Sequence, residues 1–155
     1  MTEELKEGDL APDFSLPSGG GHASLADLKG KAVVLYFYPK DDTSGCTAEA
    51  IAFSALKPQF AAAGATVIGV SPDTAASHDK FAAKHKLAVT LAADPERSAI
   101  EAYGVWKEKS MYGRKYFGVE RSTFLIGRDG RIAKIWRKVK VPGHAETALK
   151  AVREL

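Results

Sequence analysis

The chain has 155 residues, 45% of them apolar and 26% charged, ordinary values for a soluble globular protein and enough length for one domain, residues 1–155, around one substantial core. A net charge of +3, with Lys and Arg scattered, argues against nucleic acid as a partner, and no stretch approaches the roughly 20 apolar residues of a membrane span. A single cysteine rules out an intrachain disulfide and a cysteine zinc cluster, and suits a reducing cytoplasm.

The first residues, Met1-Thr2-Glu3-Glu4-Leu5-Lys6, lack the charged-then-apolar order of an export signal. Ser18-Gly19-Gly20-Gly21 reads as a flexible surface turn. Residues 33–38 are a continuous apolar run, the pattern of a buried strand. Residues 47–63 read as a helix, with Phe53, Leu56 and Phe60 on one face, a kink expected at Pro58 and a stop at Gly64. A second buried strand covers 65–70, then a helix 77–86, a short strand 89–92 and a helix 95–103 with Pro95 in its first turn. Residues 108–118 carry no clear pattern. Strands 121–126 and 131–136 flank Asp129-Gly130, a hairpin signal, and a helix closes the chain over 145–155. Alternating strands and helices followed by a terminal hairpin predict an α/β fold, a mixed β-sheet flanked by helices.

Cys46 follows the strand 33–38 and the loop Pro39-Lys40-Asp41-Asp42-Thr43-Ser44-Gly45, at the start of the next helix. The unpaired N–H groups and positive dipole end there favour an anion, and the thiolate is the reactive form of cysteine. A structural thiol is the plainer alternative, but turn and capping residues surround this one. Thr43, three residues earlier, is placed to cap the helix, to donate toward the sulfur or a bound oxygen, or both. Pro39 ends the strand and could also shield the sulfur from water. Arg121 opens the strand 121–126; beside Cys46, its fork of donors would hold a thiolate and bind an oxygen substrate. Glu49, Asp41 and Asp42 are awkward neighbours for a thiolate, being of like charge. His22, His78, His85 and His144 lack zinc-motif spacing, and His78 and His85 read as exposed helix positions.

Pro39-x-x-x-Thr43-x-x-Cys46 resembles the peroxiredoxin active-site motif. The surrounding Tyr36-Phe37-Tyr38-Pro39-Lys40-Asp41-Asp42-Thr43 and Gly45-Cys46-Thr47-x-Glu49 are similar to the peroxiredoxin Q, or bacterioferritin comigratory protein, group. Gly8-Asp9-Leu10-Ala11-Pro12-Asp13-Phe14, the block from Tyr112 through Arg121-Ser122-Thr123-Phe124 to Ile126, and Gly143-His144-Ala145 extend the resemblance over essentially the whole chain. It implies a thioredoxin-like fold and a thiol-dependent peroxidase without metal or organic cofactor. Cys46 would be the nucleophile, Thr43 and Arg121 its oxygen-binding and thiolate-stabilising partners, and Pro39 its shield. The implied partners are a hydroperoxide and an external thiol reductant (thioredoxin, glutaredoxin or glutathione), met by a monomer. Two departures stand out. Ser44 replaces a usual proline, and neither Ile51 nor Ala82, the positions where family members carry a resolving cysteine, is cysteine. A non-enzymatic redox sensor and a cysteine hydrolase, which needs a histidine base at the thiol, remain the competing readings.

Overall fold

The computed structural model describes residues 4–155; residues 1–3, where the stretch read for an export signal begins, lie outside them. A five-stranded sheet forms the centre, in the order β5-β4-β3-β8-β9. Its strands are β3 (Ala32–Phe37), β4 (Ala65–Ser71), β5 (Thr90–Ala93), β8 (Ser122–Ile126) and β9 (Ile132–Trp136). β3 pairs parallel to β4 and antiparallel to β8, so the sheet is mixed, as expected. Every residue of β3 is buried, because helices and hairpins cover both sheet faces. Alternation along β3 sorts the core. Val34 and Tyr36 join Phe53 and Phe60 of α1 (Ser44–Ala62) and Leu149 of α4 (His144–Arg153). Val33, Leu35 and Phe37 join Ile100 and Tyr103 on the other face. Tyr36 stacks on Phe53 with ring centroids 4.6 Å apart, a pair worth about 0.5–1.5 kcal/mol beyond its burial.

Four expectations change. The glycine run at 18–21 is the turn of a hairpin between β1 (Ser15–Ser18) and β2 (Gly21–Ser24), where Gly19 and Gly20 both take positive φ. The patternless stretch is a second hairpin, β6 (Trp106–Met111) and β7 (Arg114–Val119), turning through Tyr112 and Gly113, again both at positive φ. The third helix, α3 (Ser98–Ala102), starts later than expected, leaving Pro95 outside it. The Asp94 carboxylate is the reason: it accepts from the N–H groups of Ser98 (2.9 Å) and Ile100 (2.8 Å) and fixes the helix start there. The helix α1 holds Pro58 within it, as expected, and ends at Ala62, close to Gly64. The helix α2 (Ala75–His85) begins two residues before its predicted start because the Thr74 hydroxyl caps it, accepting from Ser77 N–H at 3.2 Å.

The topology brings one end of β3 to one end of β8. Phe37 pairs with Ser122, so the loop that leaves β3 toward Cys46 runs beside Arg121.

Candidate active site

Cys46 is the third residue of α1 and is 1% exposed. The N–H groups of Ser44, Gly45 and Cys46 precede the first intrahelical bond, which Thr47 N–H makes to the Thr43 carbonyl at 2.8 Å. Arg121 reaches the sulfur from just before β8: Nη2 donates to Cys46 Sγ at 3.3 Å, and Nη1 donates to Glu49 Oε1 at 2.7 Å. One guanidinium thus ties together the helix start, the next helical turn and the neighbouring strand. The approach is close enough that a Cβ on Gly45 would stand 3.2 Å from Arg121 Nη2.

Glu49 is buried at 1% exposure, and its second oxygen has no partner among the described residues. Burial pushes its carboxyl up to about 7, against the opposing pull of the Arg121 charge and hydrogen bond. Arg121 is itself raised. Its burial works the other way, but the charges of Glu49 and Cys46 and the hydrogen bonds to both outweigh it. The two shifts point to opposite winners for one ion pair. Each agrees with its group's setting: Glu49 is sealed in the core, whereas Arg121 keeps 17% of its side chain exposed.

Thr43 occupies the N-cap position of α1 with extended backbone, but its hydroxyl does not cap. Instead Oγ1 donates to the Lys40 carbonyl at 2.9 Å, closing the loop on itself. This corrects the capping expectation: the backward bond takes the hydroxyl proton and leaves the helix-start N–H groups open. Pro39 is half-buried in the loop between β3 and α1.

The sequence reading missed a polar cluster behind this loop. Asp41 is not a solvated charge near the thiol; its carboxylate accepts from Tyr38 Oη (2.6 Å) and Ser77 Oγ (2.7 Å) and pairs with His78 Nδ1 (2.7 Å). His78, expected to be exposed, is 4% exposed and also bonds the Ala92 carbonyl through Nε2 at 3.0 Å. Asp73 Oδ2 accepts from Asp41 N–H and Ser71 Oγ. Burial raises Asp41, but the hydrogen bonds from His78, Tyr38 and Ser77 outweigh it and hold the carboxyl below the ordinary range. Asp41, Asp73 and His78 bring ligand-type atoms within 4.8 Å of one another. Both imidazole nitrogens are already engaged, Nδ1 with Asp41 Oδ2 and Nε2 with the Ala92 carbonyl oxygen. The cluster is a clamp that fastens the loop to α2. Asp42, in the left-handed region at φ 62, adds a second fastening through Lys84 (2.6 Å) and His85 (2.8 Å). The only sequence signal was the pair of acids in the loop; nothing in the 3.6-residue pattern of α2 marked His78 as buried.

A hydrolase would need a histidine on the thiol. Among the described residues the side chain that hydrogen-bonds Cys46 is Arg121. His144, buried nearby, bonds Thr123 Oγ1 at 2.8 Å instead. Burial, with the Arg121 charge adding to it, holds the His144 imidazole below its ordinary value.

The chain as a whole has counterparts among known proteins. The family model for the AhpC/TSA family matches residues 8–135. The chain belongs to the AhpC/TSA family. It is 48% identical to the peroxiredoxin Bcp of Bacillus subtilis, over 100% of this chain and 98% of that one. A solved Xylella fastidiosa PrxQ mutant superposes with a TM-score of 0.92 at 42% identity, covering 99% of this chain and 98% of the other. The Xanthomonas campestris bacterioferritin comigratory protein, solved in trapped intermediate and ligand complexes, gives 0.86 at 45%, covering 91% and 90%. Within the family the chain is a peroxiredoxin of the Bcp/Q group, and therefore a thiol-dependent peroxidase with the thioredoxin-like fold. Among the described residues no helix is long and apolar enough to cross a membrane.

Proposed function

We propose that Cys46 is the peroxidatic nucleophile, with Arg121, Thr43 and Pro39 as its supporting residues. The observation that carries this is the 3.3 Å hydrogen bond from Arg121 Nη2 to Cys46 Sγ at a helix start. The thiolate attacks the terminal oxygen of a hydroperoxide. The O–O bond breaks, hydroxyl passes to sulfur as a sulfenic acid, and the alkoxide takes a proton and leaves as alcohol, or as water from hydrogen peroxide. Arg121 and the open N–H groups of residues 44–46 lie where negative charge develops on the departing oxygen. Thr43, its proton committed to Lys40, offers oxygen lone pairs to the O–H of the hydroperoxide. Pro39 restricts water at the loop.

The Xanthomonas campestris relative was solved in connection with alkyl peroxide reduction, which supports organic hydroperoxides beside hydrogen peroxide as substrates here. With one cysteine, the sulfenic acid must be reduced by an external thiol, for which thioredoxin, glutaredoxin and glutathione are the candidates. A cytoplasmic setting would supply such thiols. The working state is a monomer, residues 1–155 acting as one domain; the coverage of both sheet faces within one chain supports this, and sedimentation velocity tests it.

The decisive experiment is steady-state peroxide consumption with and without added thiol, for the wild type and Cys46→Ser. Turnover that needs both thiol and Cys46 supports the reading. A non-enzymatic sensor would consume one equivalent and stop in either condition.

A further inference from the structure

Beside Arg121 lies an open groove of about 510 Å³. Lys107 and Lys109 of β6, Tyr116 of β7, Glu120 and Arg121 before β8, and Lys138 after β9 line it. The segment carrying Lys138 is fixed to the arginine, since Val139 N–H donates to the Arg121 carbonyl at 2.9 Å. The Lys109 stem runs along the hairpin, where a Cβ on Gly118 would meet its Cδ at 3.5 Å. Burial holds the Lys109 ammonium below its ordinary value; the Arg121 charge adds to this, while Cys46 and Glu120 oppose it. Lys109 therefore lies within the field of the reacting centre.

The groove sets Lys107, Lys109, Arg121 and Lys138 against the carboxylates of Glu108 and Glu120, which leaves an excess of positive charge. Arg121 is engaged by Glu49 and Cys46, but among the described residues neither Lys107, Lys109 nor Lys138 has a carboxylate within ion-pair distance. A hydroperoxide head needs only Arg121 and the helix-start N–H groups, which leaves those lysines without a role in oxidation. The reductive half of the cycle, in contrast, lacks its reagent within the chain, because Cys46 is the only cysteine. Cys46 is 1% exposed, and among the candidate reductants the groove volume suits a small molecule.

We propose that this groove binds a carboxylate-bearing, low-molecular-weight thiol and delivers its sulfur to Cys46. The inference rests on Cys46 being the peroxidatic residue. The bound thiolate attacks the sulfenic sulfur; the S–S bond forms, the S–O bond breaks, and hydroxide leaves with a proton as water. A second molecule of the same thiol attacks the outer sulfur of the mixed disulfide. It expels the Cys46 thiolate and carries away the small disulfide, so electrons and atoms balance over the two thiols. Lys109 and Lys138 hold carboxylates and set specificity without touching the reacting atoms.

Stopped-flow single turnovers test this. The protein is oxidised with one equivalent of hydrogen peroxide and then reduced with mercaptosuccinate, 2-mercaptoethanol or cysteamine at matched thiolate concentration. Mercaptosuccinate is expected to react at least about tenfold faster than 2-mercaptoethanol, with cysteamine slowest, and added salt should erase the order. In Lys109→Gln/Lys138→Gln the ratio of mercaptosuccinate to 2-mercaptoethanol rates should fall toward unity. A ratio cancels any general slowing, and the salt arm uses the wild type alone. Equal rates in the wild type, or a ratio untouched by the double substitution, overturn the proposal. So does a preference that appears only in oxidation by a carboxylated hydroperoxide, which would assign the groove to the peroxide. If no sulfenic acid forms at all, the peroxidatic reading of Cys46 fails, and the proposal falls with it, by a visibly different result.

Discussion

Arg121 and Glu49 form a 2.7 Å ion pair in which the acid is sealed in the core and the base faces the thiol. Burial raises the Glu49 carboxyl from 4.5 to about 7. An acid raised on folding binds more protons in the folded state, so its contribution to stability is complete below its unfolded value. That contribution is lost as pH climbs through 4.5 to about 7. Glu49→Gln keeps the acceptor for Arg121 and removes the titration. Urea unfolding of both proteins at about pH 5 and about pH 8 should show the variant gaining on the wild type at the higher pH. Parallel pH slopes would sink the claim.

Arg121→Lys keeps a cation and loses the fork that reaches Glu49 and Cys46 together. The second-order rate constant with hydrogen peroxide should fall by about 10²–10³, the usual effect of losing one positioned donor, with the circular dichroism spectrum unchanged. An unaltered rate constant would return Arg121 to a purely structural role.

Gly45 gives a geometric version of the same test. A Cβ there would sit 3.2 Å from Arg121 Nη2, so Gly45→Ala must push the guanidinium by a few tenths of an ångström. Gly45 lies in the helix, so alanine suits its backbone and the melting temperature should hold or rise. The peroxide rate should nevertheless drop, by about tenfold, since small misplacements of positioning groups are costly. A stable variant with full activity would mean that the Arg121–Cys46 contact does not set the rate.

Much of the frame was legible because burial writes a plain pattern. The all-apolar run of β3, the spacing of Phe53 and Phe60, and Asp129-Gly130 between β8 and β9 each identified an element. Cys46 was legible because helix-start chemistry is local. The proximity of Arg121 was not: 75 residues separate it from Cys46, and only the β3–β8 pairing joins them. Spacing offered Arg121 only on condition that its strand lay beside the one leading to Cys46, and the resemblance supplied that condition. The clamp stayed hidden for another reason. His78 sits in an otherwise polar helix segment, and only its long-range partners Asp41 and Ala92 make burial tolerable. The hairpin of β6 and β7 was hidden because its lysine-rich strands pack little core, and Tyr112-Gly113 is an unusual route to a turn with two positive φ values.

The clamp has its own pH signature. Asp41 is held below the ordinary carboxylate range, so it contributes stability above its unfolded value and loses that contribution as pH falls. Asp41→Asn should therefore flatten the acid side of the stability curve as well as lower it. Leaving buried hydrogen-bonding groups without their partner costs about 1–3 kcal/mol, and urea unfolding near neutral pH should show a loss of that order for Asp41→Ala. A loss below about 1 kcal/mol would mean that the loop is held by something other than this clamp.

The absent resolving cysteine gives the last prediction. Without one, the Cys46 sulfenic acid is open to a second peroxide and to irreversible sulfinic acid, so graded peroxide should yield sulfinate readily by mass spectrometry. Two positions can be rebuilt, and they differ in what must move. Ile51 lies on α1 itself, five residues beyond Cys46; at about 1.5 Å and 100° per residue the two side chains point to different faces, so a bond requires α1 to unwind. Ala82 lies on α2, packed against the cluster that contains Cys46, and α2 is fastened to the loop by His78–Asp41 and by the Asp42 contacts. Ala82→Cys should form an intrachain disulfide, seen as a mass lower by a pair of hydrogens, and should suppress sulfinate. Adding His78→Asn should speed that disulfide by loosening α2. If Ala82→Cys forms no disulfide even with His78 replaced, α2 does not open toward Cys46. If it forms at the same rate with and without His78, the clamp does not control the opening.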